Sequence, residues 1–442
     1  MKYLNLVSTV VLAAFTGFVN AQYFVMTDSL SAPRINHQSQ RLNDGRVITF
    51  GGENGSFIDS NNAYATAQIY NNGTWTNTGS MNNQRTQFSS VLLPNGKVLA
   101  MGGVADDLNY EWASCELYDP STGQWTYTDP LPSATYIAGA VVLQNGKVLL
   151  TDGDSSHIYD PATGHWGSAA AMAAPHGTGP AVALLQNGKV LAIGGSDNNT
   201  VADVYNPANN TWTATANNTH YSRYLTSAIA LNNGNALVFG SASVDSGQTT
   251  SELYDPATNS FTVTGNLVTN VSSSPAVLLD NGNPIIWSLG NAFGGPTQVI
   301  QVYDVATGTW WSPPSTTLGT TNNTLVKMSN NQVLVVAGGE FGTPVPYCWL
   351  INGNLSGVND ISPVAGFSIS PNPGSNYLLL NPAQIPGFDD IRIYDMQGRL
   401  LQQEYQKGTA PVNTTTLAPG TYLVSLFNTK GQLMGVSKWV KM

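Results

Sequence analysis

Leu184 to Gly195 reads LLQNGKVLAIGG. An apolar run leads into Asn187-Gly188, a second apolar run follows, and Gly194-Gly195 closes the stretch. Asn-Gly between apolar runs is a strong short-range signal of a β-hairpin, and a two-residue turn there needs φ > 0 at both positions. Val190 to Ile193 has no polar face, so its strand is expected to be covered on both sides. The same turn recurs as Asp44-Gly45, Asn95-Gly96, Asn145-Gly146, Asn233-Gly234 and Asn281-Gly282, with a degenerate seventh copy at Asn330-Asn331. Copies lie roughly 40 to 50 residues apart, a period that points to a repeat architecture.

Two further landmarks accompany each turn. One is a Tyr-Asp-Pro-like step: Tyr70, Tyr118-Asp119-Pro120, Tyr159-Asp160-Pro161, Tyr205-Asn206-Pro207, Tyr254-Asp255-Pro256 and Tyr303-Asp304. The other is an aromatic a few residues later: Trp75, Trp125, Trp166, Trp212, Phe261 and Trp310. Tyr, a Pro-containing turn and Trp describe a second hairpin, so each unit is about four antiparallel strands. The order of glycine pair, Tyr and Trp resembles the kelch repeat. The pair stands as Gly51-Gly52, Gly102-Gly103, Gly194-Gly195 and Gly338-Gly339; units three, five and six depart from it with Asp152-Gly153, Gly240-Ser241 and Leu289-Gly290. The resemblance implies a seven-bladed β-propeller over residues 22–356, with four-stranded blades around a channel. A single such sheet cannot bury two apolar faces, whereas a ring of them can.

The last unit has its Tyr-like step near Trp349 but no Trp after it. Phe24 stands as far before Gly45 as Trp75 before Gly96 and Trp125 before Gly146, so Tyr23 to Thr27 is expected to be the outer strand of blade seven. That closure leaves no open edge between the first and last blades. It also puts Cys115 in blade two and Cys348 in blade seven, too far apart for a disulfide, which needs Cα atoms within about 7 Å. Two buried free thiols are expected.

Residues 357–366 read as a linker, and 367–442 change character, with alternating strands such as Ile391 to Tyr394 and Tyr422 to Phe427 and no kelch landmarks. Pro371-Asn372-Pro373, IYDMQGRL from Ile393, LAPGTYLV from Leu417 and Lys438-Trp439-Val440-Lys441 resemble, in order and spacing, the type A C-terminal sorting domain of Bacteroidetes type IX secretion substrates. The resemblance implies a small β-sandwich read by an outer-membrane machine, with cargo released or attached to the surface. Pro371, Asn372, Pro373, Gly398, Arg399, Gly420, Lys438 and Lys441 are its expected recognition residues.

The 442-residue chain is 10% charged, with a net charge of −10. That argues against gripping a nucleic-acid backbone, which needs a basic stripe. Lys2, the apolar run Leu4 to Phe18 and Val19-Asn20-Ala21 read as a signal peptide over residues 1–21, and no later segment is apolar enough to span a bilayer. A soluble, monomeric, secreted or surface-attached protein is expected.

No zinc-type spacing, nucleophile elbow or phosphate loop is present, so no metal or cofactor is expected. Some kelch propellers are galactose-oxidase-like copper enzymes with first-strand histidines. Here His37 suits such a place, but its counterparts are Phe88, Ala138, Pro180, Thr226 and Ser274. Eleven residues before the turn glycine stand Arg34, Arg85 and Arg223, three of the propeller's five arginines. Glu53, Asp154 and Glu340 follow the glycine pairs, and Asp106, Asp107, Asp197 and Asp245 lie further along the same loops. Tyr136, Tyr221, Tyr224, Trp112 and Phe293 are nearby aromatics. One reading has the arginines bridging carboxylates and loop carbonyls as structure. The other makes this face, whose loops vary most in length, a site for a glycan or protein ligand. Binding outside the cell is the expected function; a carbohydrate-active enzyme on the arginine–carboxylate face, or a copper oxidase, is the alternative.

Overall fold

The computed structural model describes residues 24–55, 62–105, 111–153, 155–195, 200–242, 246–289, 298–313, 322–329, 331–340, 343–353, 369–374, 376–380, 388, 390–395, 400–405, 410–427 and 433–442. The expected signal peptide and linker lie outside them. The chain divides into two compact units, Met1–Ser356 and Gly357–Met442. Among the described residues there is no α-helix, and none forms a helix long and apolar enough to cross a membrane.

The first unit holds, among its described residues, seven four-stranded antiparallel sheets. Blade one is Gln38–Arg41, Val47–Phe50, Ala67–Asn71 and Thr74–Thr78, in that spatial order. The innermost strands of successive blades are Gln38–Arg41, Ser89–Leu92, Gly139–Val142, Ala181–Leu184, Ser227–Ala230, Ala276–Leu278 and Thr324–Lys327. Each neighbours the next, and the seventh neighbours the first, so the ring is closed around a channel. Phe24–Met26 pairs antiparallel with Thr343–Asn352, Met26 opposite Trp349, and supplies the outer strand of the last blade from the start of the described chain. Within the next few residues, Leu30 is buried against Tyr70 and Trp75 of blade one, and the Asp28 carboxylate accepts from the Trp75 N–H at 3.1 Å.

The second strand of every blade is apolar on both faces because it is sandwiched between neighbours. Val190, Leu191, Ala192 and Ile193 are all buried, divided between the clusters on either side of their blade. The Tyr–Trp landmark is a cross-strand pair: Tyr205 faces Trp212 in register with ring centroids 5.1 Å apart, and Tyr70–Trp75, Tyr118–Trp125 and Tyr303–Trp310 repeat this at 5.1, 5.2 and 5.3 Å.

The Asn-Gly turn differs from the two-residue form expected. Gly188 N–H donates to Leu185 O at 2.9 Å and Leu185 N–H to Lys189 O at 2.8 Å, and only Gly188 (φ 80°), not Asn187, has positive φ. This is a type I turn closed by a left-handed glycine, the three-residue hairpin with a bulge. The asparagine acts through its side chain: Asn187 Oδ1 accepts from Lys189 N–H at 3.0 Å, as do Asn95, Asn145, Asn233 and Asn281 from the residue two further on, and Asp44 from Arg46. The glycine pairs mark close approach. A Cβ on Gly194 would lie 1.9 Å from Arg223 O in the next blade, and one on Gly195 1.9 Å from His176 O.

Both cysteines are buried and free, and burial pushes their thiols up, Cys115 to about 11 and Cys348 to about 12.

The second unit has two sheets, one of Ile369–Ser370, Tyr377–Leu380 and Val412–Asn413, the other ordered Leu400–Tyr405, Asp390–Asp395, Gly420–Phe427 and Leu433–Lys441. Leu378 and Val412 of the first meet Ile391, Ile393, Val424 and Trp439 of the second in one buried core.

Deleting residues 24–30 removes one strand pairing of three residue pairs and the buried Leu30 while exposing the edge of Thr343–Asn352. A thermal melt is expected to fall by about 5 °C or more; an unchanged midpoint would show that closure contributes nothing.

Candidate functional site

The channel is built from one repeat position per blade. Asn36, Gln87, Ile137, Leu225, Ser273 and Asn322 each stand nine residues before the turn glycine or its counterpart and have φ between 44° and 53°; blade four places Gly179 there at 75°. Left-handed backbone is uncommon outside glycine and an outlier for a β-branched residue such as Ile137. Hydrogen bonds between blades hold it: Asn36 N–H donates to Asn322 O (3.3 Å), Gln87 to Asn36 (3.4 Å), Ile137 to Gln87 (2.9 Å) and Ser273 to Leu225 (2.7 Å). All seven residues line the channel cavity, which encloses about 750 Å³. That volume falls in the roughly 300–1,000 Å³ common to ligand pockets.

Behind this ring the wall is Ser, Thr, Ala and short apolar residues such as Ser90, Ala138, Val182, Ser227 and Ala276. No Asp, Glu, Lys or Arg lines the cavity among the described residues. Its one titratable side chain, His37, is buried. Burial, with Arg34 close by, pushes its pKa down to about 3, so the ring is neutral at pH 7. His37 Nε2 lies 3.2 Å from Thr324 Oγ1, which donates to Ser39 Oγ at 2.6 Å. Among the described residues Glu53 stands beside this ring, its Oε1 accepting from Asn36 Nδ2 at 2.6 Å.

Arg34, Arg85 and Arg223 do not ring that mouth with guanidinium groups. All three are completely buried. Arg85 donates to Gly102 O (2.8 Å), Ser114 O (2.9 Å) and Glu116 Oε1 (2.8 Å). Arg223 repeats this with Gly240 O, Thr250 O and Glu252 Oε1 at 3.2, 3.1 and 2.7 Å. Arg34 donates to Gly51 O and Thr66 O at 3.0 and 3.2 Å and lies over the Tyr64 ring; burial pushes it down to about 10. Among the described residues their partners include loop carbonyls and, for Arg85 and Arg223, a third-strand glutamate, rather than the carboxylates after the glycine pairs that the sequence suggests. Of those, Asp154, Asp106, Asp107, Asp197 and Asp245 lie outside the described residues, and Glu340 enters only through its backbone pairing with Thr343. Trp112, Tyr136 and Tyr224 are half-buried in the loops of this end, Trp112 donating its indole N–H to Gln84 O at 3.0 Å. None of the three lines the channel cavity. Tyr221 lies under Arg223, and Phe293 is outside the described residues.

Glu116 and Glu252 belong to a series the motif reading missed: the residue two before each repeat tyrosine. Gln68, Glu116, Asp203, Glu252 and Gln301 are buried there. Each accepts a backbone N–H from the loop leading into its own blade, from Ser31 (3.0 Å), Asn82 (2.7 Å), Ala174 (3.0 Å), His220 (2.9 Å) and Val268 (2.6 Å) respectively. Blade three carries His157 instead, where the donor position is Pro132, which has no N–H. A polar–apolar–Tyr spacing was the available signal.

A second cavity of about 440 Å³ opens between blades three and four at the hairpin end, lined by Ile158, Gly167, Tyr205 and Asn210 among others. It exists because blade three has Gly167 and Ala169 where other blades have threonines, such as Thr126 and Thr128. Thr128 Oγ1 meets Tyr159 OH at 2.8 Å, whereas Tyr205 OH turns to Asn210 Oδ1 at 2.9 Å.

In the second unit the scattered motifs converge. Trp439 donates its indole N–H to Pro371 O (2.9 Å), Val440 N–H donates to Asn372 Oδ1 (3.0 Å), and Gly420 pairs with Lys441. Lys441 is buried and its Nζ donates to Thr414 O and Leu417 O, both at 2.6 Å. Pro373 lies between Asn372 and Gly374, whose N–H donates to Val440 O. Lys438 pairs with Leu423 through its backbone; Gly398 and Arg399 lie outside the described residues. Residues 368–441 match the family model of the secretion system C-terminal sorting domain. The second unit is a sorting domain of type IX secretion. It marks the chain for export and attachment at the cell surface.

The fold resembles a solved structure described as a novel fungal alcohol oxidase with catalytic diversity among the AA5 family, in complex with copper. The TM-score is 0.59 at 13% identity, over 95% of this chain and 99% of that one. Such a likeness is one of fold. No curated protein matches the sequence. Among the described residues no three His, Cys, Asp or Glu side chains stand together so as to hold a metal. The first-strand donors do not fit copper: His37 is alone, and Thr226, a counterpart, turns its hydroxyl to Phe239 O and Gly240 O.

Two outcomes follow from this geometry. Glu116→Leu leaves a buried guanidinium without its carboxylate and is expected to cost about 3–5 kcal/mol in denaturant unfolding, with much of the loss recovered in Glu116→Leu/Arg85→Met. For His37, the pKa is lower folded than unfolded, so its contribution is full above about pH 6.5 and is lost as pH falls towards 3. Between pH 7 and 5 the loss is about 2 kcal/mol. His37→Phe, the residue blade two carries as Phe88, is expected to remove that part of the pH dependence.

Proposed function

We propose that this is a kelch-type propeller that acts outside the cell by binding a glycan or protein ligand at the channel mouth, after export through its sorting domain. The observation that carries the reading is the channel itself. It has a cavity of ligand size to which every blade contributes, walled without charge among the described residues and ringed by half-exposed or exposed side chains held on strained backbone. The arginine anchors around it are buried and each donates to carbonyls of its own blade, which gives such a site the rigidity that binding favours. An enzyme built on the arginine–carboxylate face finds less support, because those guanidinium groups have no exposed surface.

The test is a glycan array and a pull-down from extracellular material with the mature chain, repeated with Asn36→Ala and Gln87→Ala. At least a tenfold loss of binding is expected in both variants with unchanged melting. A ligand held equally by wild type and variants, or turnover with stoichiometric bound copper, would overturn the proposal.

A further inference from the structure

We infer that the ligand at the mouth is a neutral pyranose, oriented by a rim that is polar on one arc and apolar on the other; this rests on the channel-mouth reading above. In ring order, Ser273 of blade six and Asn322, Asn36 and Gln87 of blades seven, one and two form a continuous hydroxyl and amide arc. Ile137 and Leu225 of blades three and five form the opposite arc and close in over Gly179 between them, where a Cβ would lie 3.1 Å from Ile137 Cγ2 and 3.9 Å from Leu225 Cδ2. A pyranose has the matching division: hydroxyls around its edge and a face of C–H groups. Each carboxamide both donates and accepts, so it can engage neighbouring hydroxyls, and the apolar arc covers the C–H face.

The backbone supplies a second observation. Gly179 shows that glycine satisfies this left-handed position without strain. Ile137 and Leu225 hold it at φ 50° and 48°, where a bulky side chain is disfavoured. A side chain kept at such a cost is expected to be there for what it touches, and these two touch the cavity.

Charge sets the class. The described cavity wall has no cation to compensate a carboxylate or phosphate, and Arg34, Arg85 and Arg223 are sealed inside their blades. Glu53, bonded to Asn36 on the polar arc, accepts hydroxyl donors and repels anions. A neutral hexose, which needs no compensating cation, is the class that this wall and Glu53 favour over a uronic acid or a sugar phosphate.

Neutral hexose oligosaccharides, their uronic-acid counterparts and hexose 6-phosphates would be titrated against the mature chain, wild type and Ile137→Gly/Leu225→Gly. The double variant relieves strain, so its melting midpoint is expected to hold or rise while its affinity for neutral sugars falls at least tenfold. A lower midpoint with unchanged affinity would make the two residues structural and overturn the inference. Preference for the charged sugars, lost in Gln87→Ala, would overturn the sugar class while leaving the site standing. So would no sugar binding together with a protein ligand lost in Gln87→Ala. Neutral-sugar binding indifferent to every rim variant would instead overturn the site.

Discussion

The propeller depends on a buried hydrogen bond that no ligand would ever touch, repeated in five of its blades: a backbone N–H of the lead-in loop donating to a side chain two residues before the blade's tyrosine. That loop feeds the innermost strand, so its position sets the channel wall. An acceptor sealed between two sheets cannot rely on water, and its electrostatics must close inside the blade. The blades do so in matched sets. Glu116 and Glu252 meet Arg85 and Arg223, whose forks also satisfy two carbonyls each. Asp203 has His176 3.4 Å away. Gln301, which carries no charge, sits in the blade where the arginine position is Val271. Blade one combines neutral Gln68 with Arg34, and there the guanidinium is met by carbonyls, the Thr66 hydroxyl and the Tyr64 ring.

This closure explains why the fold was legible in the sequence and the site only partly so. The turn glycine, the Tyr–Trp pair and the doubly buried second strand are local features repeated in chain order, and period and patterning suffice to read them. The supply of the last outer strand from Phe24–Met26 followed from one spacing. The arginines were recognisable as a set because they recur at one position, but their direction was not. A residue eleven before the turn could face either the channel mouth or the interior of its blade. The partners that decide it, Glu116 and Glu252, stand about thirty residues later on another strand. The turn itself departs from the two-residue form that Asn-Gly predicts, since Asn187 works by accepting a hydrogen bond and leaves the positive φ to Gly188 alone.

The sorting domain shows the same relation between motif and geometry. Pro371-Asn372-Pro373 and the terminal Lys-Trp-Val-Lys lie at opposite ends of the domain's sequence, yet they form one surface-to-core unit. Trp439 fills the core while its indole N–H caps Pro371 O, and Asn372 caps the strand at Val440. Lys441 buries a charge among backbone carbonyls of the segment that precedes Gly420. An ammonium so placed fixes the last strand against the LAPGTY segment. Changes at either end of the motif set therefore act on a shared structure, and a loss of sorting on mutating Lys441 need not mean that the side chain itself is read.

The neutral channel and the charged blades are two sides of one arrangement. The chain carries a net charge of −10, which sets a repulsive far field for anions. Yet Glu116 and Glu252 are met by Arg85 and Arg223 inside their own blades, and Arg34 is held there by carbonyls and a hydroxyl, so none of these charges faces the axis. The axis is left with serine, alanine and amides, and with a histidine whose burial keeps it neutral. A wall of that kind gains little from ionic attraction and must discriminate by shape and by where donors and acceptors fall. In a ring of seven related blades, such discrimination requires that the repeats stop being alike at the rim. That is where they diverge: one position, one backbone conformation, and side chains that run from Asn and Gln through Ile and Leu to none at all.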